Sequence, residues 1–142
     1  MKKQPDDFQR FGAPYLPGLL GIEIVEVSAQ RVRAALPLRR ELLAPNDFLH
    51  AASIIALADT CCGYGCVAAL PEGASGFTTI ETKSNHLGTA LEGFIDCVAV
   101  PLHVGRTTQV WDATVSHRQT DGSGKTITLF RCTQMVLYPK KG

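Results

Sequence analysis

The chain has 142 residues, of which 45% are hydrophobic and 19% charged, and its formal net charge is +1. That length suits one domain with a substantial core. The balanced charge offers no basic field to nucleic acid, and no arginine-rich stripe or aromatic stacking motif supplies one locally.

Residues 1–17 are polar and punctuated by Pro5, Pro14 and Pro17. They predict a short helix over 6–11 and then a turn. The start, Met1-Lys2-Lys3-Gln4-Pro5-Asp6-Asp7, lacks the apolar stretch of a secretory signal. The main domain is expected over 18–142. Segment 21–27 alternates with period two and reads as a half-buried strand, with 31–38 as its hairpin partner. A loop broken by Pro45-Asn46-Asp47 fills 39–48. A long helix is expected over 49–70, stopped by Pro71-Glu72-Gly73-Ala74-Ser75-Gly76. Four strands complete the chain at 77–86, 93–103, 106–117 and 125–138, the last two joined by the turn Thr120-Asp121-Gly122-Ser123-Gly124. Strands segregated from one helix indicate an α+β fold. About six antiparallel strands would curl around one long buried helix.

The helical run is apolar or small on every side, which marks a buried helix. It is long enough to cross a bilayer. Its Ala, Gly, Ser, Thr and Cys residues, with no basic anchors beside it, instead favour the core of a soluble, non-membrane protein. Asp59 is the one formally charged residue between Asp47 and Glu72. Burying a carboxylate costs several kcal/mol unless it is paired or protonated. Asp59 is therefore either a site residue or a structural acceptor, tied to amides, to an arginine or to a subunit interface.

Five cysteines, an odd number with no C-x-x-C pair, read as reduced buried thiols, as expected in the cytoplasm. His50, His86, His103 and His117 stand at no metal-ligand spacing, so no metal is expected.

The order of elements, with His50-Ala51-Ala52 opening the helix and Asp59 nine residues on, resembles the hotdog-fold acyl-CoA thioesterases. The resemblance is strongest to the branch named for phenylacetate degradation and spans about 18–138. That branch carries N-x-x-G-x-x-H-G-G, an apolar helix with a catalytic Asp or Glu, and a strand closing in N-[YF]-L. Here Asn85-His86-Leu87 takes the strand-end position. Gly88-Thr89-Ala90-Leu91-Glu92-Gly93 matches the next polar turn, and Gly105-Arg106-Thr107-Thr108 a G-[RK]-[ST] turn. The chain departs from the pattern in four places. Ala44 stands at the motif asparagine, Asp47 at its glycine, and Ala51 and Ala52 at the glycine pair. Asn46 lies two residues after the asparagine position.

The resemblance implies an acyl-CoA thioesterase acting on a small or aromatic acyl group, with no cofactor beyond the CoA of its substrate. Asp59 would be the general base or the nucleophile, Ala51 would offer its backbone N–H to the oxyanion, and His50 would hold the loop or touch the thioester. Thr79 would orient water, or is an ordinary strand threonine. Asn46 is a substitute for the motif asparagine or plays no part. Arg106 would meet CoA phosphate, or is a solvated turn arginine. Asn85 and Gly88 would line the pantetheine channel, although Asn85 is equally a strand-end cap. Gln134 and Trp111 read as core or interface. Each site would join two chains of a homodimer or of a dimer of dimers. A hotdog hydratase or dehydratase, and a non-catalytic acyl-CoA-binding protein, are the alternatives.

Overall fold

In the computed structural model, which describes residues 3–141, the alternating segments become six strands. They are β1 (Glu23–Val27), β2 (Val32–Pro37), β3 (Gly76–His86), β4 (Phe94–Val104), β5 (Thr108–Arg118) and β6 (Gly124–Leu137). All neighbours are antiparallel, in the order β1-β2-β4-β5-β6-β3. Three helices accompany them: α1 (Pro5–Gly12), α2 (Leu16–Leu20) and α3 (Ala51–Ala68). Because α3 connects β2 to β3, strands on opposite sides of the sheet, it crosses the concave face and packs on every strand but chiefly β4, β5 and β2.

The core lies between α3 and that face. Leu57, Ala58, Cys61 and Cys62 of the helix meet Val32, Leu36, Ile95, Trp111, Val115 and Cys132 of the sheet. The closest approach depends on Gly65: a Cβ there would lie 2.4 Å from the Trp111 ring. The indole Nε1–H donates to Gln109 Oε1 at 2.8 Å, and Gln109 Nε2 donates to the Ala69 carbonyl at 3.2 Å, near the end of α3. The two edges of the sheet differ. At the β1 edge the Gln9 side chain donates to the Ile22 carbonyl and accepts from the Ile24 N–H. The 11-residue β3 forms the other edge, with β6 as its only strand neighbour.

Two expectations change. The segment after α1 forms a second helix, α2, whose last carbonyls accept from Arg39 at 2.7 and 2.9 Å; proline at its start did not prevent it because the first helical turn tolerates the missing N–H. In addition, α3 is not buried all round. One sheet covers one side, so Ile55, Ala56, Asp59 and Thr60 form a half-buried stripe, while Ala51 and Ala52 are exposed.

Candidate active site

The head of α3 is built by a closed loop. Leu43 and Leu49 form a bridge, Ala44 N–H donates to the Phe48 carbonyl at 2.7 Å, and Asp47 N–H donates to the Ala44 carbonyl at 2.9 Å. The Asn46 side-chain carbonyl accepts from the Phe48 N–H at 3.2 Å, so this oxygen is used locally. Asp47 has φ +65°, the one left-handed non-glycine residue among those described, and it stands where the resembled motif has glycine. Glycine adopts this conformation without the Cβ penalty. Asp47→Gly is expected to stabilise the fold by about 0.5–1 kcal/mol, read as a rise in thermal midpoint with activity retained.

His50 caps the helix, its Nδ1 accepting the Ala52 N–H at 2.9 Å, which places the ring proton of the neutral form on Nε2. The Ser53 N–H donates to the His50 carbonyl at 3.0 Å. The Ala51 N–H has no acceptor among the described residues and sits at the positive end of an 18-residue helix. The turn after β3 is fixed beside this point, since Thr89 Oγ1 accepts from the Leu49 N–H at 3.3 Å. Asn85 is paired within the β3 ladder, opposite Leu129, and does not cap the strand end. Gly88 N–H donates to the Ile127 carbonyl at 3.2 Å.

Asp59 belongs to a second cluster. It lies eight residues beyond Ala51, about 12 Å of helical rise. Its Oδ1 is buried without a hydrogen-bond partner among the described residues. Burial raises its pKa above the ordinary carboxylate value, and the Thr79 hydroxyl beside it opposes that rise. Thr79 precedes a bulge of β3 at Ile80 that interrupts the register with β6. Such bulges re-aim side chains.

Arg106 is exposed in the turn between β4 and β5, rather than within β5, and makes no ion pair among the described residues. The Gly105 N–H closes this turn on the Thr108 carbonyl at 2.9 Å, and Tyr138 donates its hydroxyl to the Arg106 carbonyl. One chain therefore brings His50 and Ala51 together, and Asp59 and Thr79 together, at separate levels of one helix. Among the described residues no three His, Cys, Asp or Glu side chains gather as a metal site. The thiols are all free and buried, and burial pushes Cys66 up to about 12, which makes it a poor nucleophile.

The thioesterase superfamily profile matches residues 46–123, more than half of the chain, across both clusters. The chain belongs to the thioesterase superfamily. This thioesterase is 33% identical over 118 residues to ComA2 of Bacillus subtilis, covering 83% of this chain and 90% of that one. It is 28% identical over 122 residues to a Listeria monocytogenes 1,4-dihydroxy-2-naphthoyl-CoA hydrolase, covering 86% and 95%. Among solved structures, a mutant thioesterase PA1618 from Pseudomonas aeruginosa superposes with a TM-score of 0.86 at 25% identity, covering 96% of each chain. The six-stranded sheet around one long helix is the hotdog fold of such neighbours, and the thioesterase is a thioester hydrolase.

Sequence reasoning read one polar residue of this face as core or interface, without a part in the site. Gln134 of β6 is fully buried and stands opposite Thr79. Its position in an inward-facing alternation with Phe130, Cys132 and Val136 was the available signal, because an amide there needs a partner.

Proposed function

We propose that this thioesterase hydrolyses a small or aromatic acyl-CoA to the free acid and CoA, as a cytoplasmic homodimer or dimer of dimers. The observation that carries the reading is Asp59, a carboxylate without an ion pair among the described residues whose pKa burial has raised, on the same helix that begins with the free Ala51 N–H. The carboxylate either takes a proton from the attacking water or attacks the thioester carbon itself. In the second case the C–S bond breaks, CoA leaves as its thiolate and takes up a proton, and water then hydrolyses the resulting anhydride to the free acid and Asp59. The raised pKa improves Asp59 as a base near neutrality. The Ala51 N–H and the helix dipole receive the negative charge that develops on the carbonyl oxygen. His50 orients the helix head, and Thr79 orients water or the carboxylate.

The separation of the two clusters supports a site shared between chains, with the amide from one and the carboxylate from the other. The half-buried stripe of α3 and the open β3 edge are surfaces suited to such a partner. The relative named as a 1,4-dihydroxy-2-naphthoyl-CoA hydrolase supports an aromatic acyl group. The Nδ1 acceptor role of His50 disfavours a hydratase in which that nitrogen abstracts the proton. The Asn46 side-chain carbonyl accepts from the Phe48 N–H, and its amide N–H groups are left to face the site.

Release of free thiol from a panel of aliphatic and aromatic acyl-CoAs tests the activity directly; no turnover on any member would overturn it. The exposed Arg106 is assigned to the CoA phosphates, and its turn meets Val136 of β6. Asn85 and Gly88, assigned to the pantetheine arm, lie toward the other end of that strand beside Leu129 and Ile127, so one CoA would meet both groups only across two chains. A charge-assisted bond to phosphate contributes about 1.5–3 kcal/mol. Arg106→Ala should thus raise KM for acyl-CoA by roughly ten- to a hundredfold. The same acyl group on pantetheine, without the nucleotide, should be hydrolysed almost as before. Equal losses on both substrates would remove Arg106 from phosphate recognition.

A further inference from the structure

The concave face of the sheet carries a polar row near the end of α3. Gln109 of β5 stands opposite Gln134 of β6, which stands opposite Thr79 of β3. Both glutamines are fully buried. Gln109 is satisfied by Trp111 and the Ala69 carbonyl, whereas neither Nε2 nor Oε1 of Gln134 has a partner among the described residues. A buried polar group left unpaired loses its hydration without recompense, and an apolar side chain of the same shape avoids that loss. The remaining buried side-chain oxygen without a partner among the described residues is Asp59 Oδ1. Thr79 relates the two: its hydroxyl acts on Asp59, and cross-strand neighbours such as Thr79 and Gln134 hold their Cβ atoms about 5 Å apart.

We propose that Gln134 is a positioning residue for Asp59, joined to it by one bound water. The water donates one hydrogen to Asp59 Oδ1 and the other to Gln134 Oε1, and accepts from Gln134 Nε2. One molecule thereby satisfies all three orphaned atoms, within the two to four bonds usual for a buried water. Asp59 is held with its second oxygen free, and its charged form is supported where burial opposes it.

Nothing else nearby performs this service. The titratable groups of the neighbouring core are buried thiols and one phenol: hydrogen bonds to Cys132 and Cys61 raise Cys62 and Cys97, and burial raises Tyr64 and Cys66. Glu81, the next carboxylate along β3, is exposed and pairs with Thr133. Among the described residues, no arginine or lysine reaches Asp59 within ion-pair distance.

The inference rests on the catalytic reading of Asp59 only for its kinetic consequence, so it is tested first by a measurement that needs no turnover. The Asp59 carboxyl carbon is titrated by NMR in the 13C-aspartate-labelled full chain, its resonance assigned with Asp59→Asn. In Gln134→Met, which keeps the side-chain length without polar atoms, the midpoint is expected to move upward. The acid limb of the kcat profile should move with it, and kcat at pH 6 should fall roughly tenfold with KM within about twofold, as for loss of an outer-shell partner. Should Gln134→Met fail to fold, Gln134→Leu serves for the same titration. An Asp59 midpoint equal to wild type in a folded variant overturns the proposal, whichever thioesters the protein hydrolyses. A panel with no substrate would instead count against the functional reading and leave this result standing.

Discussion

Replacing Asp59 by asparagine is expected to reduce turnover of the best acyl-CoA by about a hundredfold or more, while raising the melting temperature at pH 7. The two effects have one cause. Burial raises the Asp59 pKa in the folded chain, so the folded state holds this proton more tightly than the unfolded state does. Stability therefore falls as pH rises through the interval between the unfolded carboxylate value and the higher folded one, and it stays reduced above. Asparagine has the same shape and no charge to desolvate. The gain in thermal midpoint should shrink as pH drops below about 4, where aspartate is neutral in both states. A folded variant that turns over at wild-type rate would falsify the catalytic assignment. A variant less stable than wild type at pH 7 would show that the carboxylate serves the fold instead.

Most of the architecture was legible because its signals are local. Alternation fixed β1 to β6 to within a few residues, since every strand packs one face on α3. Proline and glycine marked the breaks, and the Thr120–Gly124 turn closes as expected, with Gln119 N–H on the Ser123 carbonyl at 2.7 Å and Gly122 at φ +85°. What stayed hidden was relational. The half-buried stripe of α3 is composed of Ile55, Ala56, Asp59 and Thr60, too apolar to read as an exposed face, because its covering is set by which side the sheet leaves open. The capping contact of His50 and the strained turn at Asp47 follow from the loop closing on itself. Gln134 looked like core because it is core; its amide, unpaired among the described residues, becomes visible only once its cross-strand neighbours Gln109 and Thr79 are known.

The oxyanion assignment can be tested by removing a single N–H. Ala51 is the first residue of α3, the position where proline fits a helix best, because its missing donor has no intrahelical partner there. The preceding residue must be extended, and His50 already is, with φ −65° and ψ 130°. Ala51 is also exposed, so the ring meets open space. Ala51→Pro should therefore fold with a melting temperature near that of wild type and lose roughly a hundred- to a thousandfold in kcat, the usual effect of deleting an oxyanion donor. Ala51→Gly, which keeps the N–H, should lose far less. The pair separates a missing hydrogen bond from a disturbed helix head. If each site takes its amide from one chain and its carboxylate from the other, Ala51→Pro and Asp59→Asn chains complement each other. A hybrid dimer then contains one intact site, and a statistical mixture should recover up to about a quarter of wild-type activity. Hybrid formation is followed by native mass spectrometry. Hybrids that form without regaining activity would place the amide and the carboxylate of each site in the same chain, despite the 12 Å or so between them along α3.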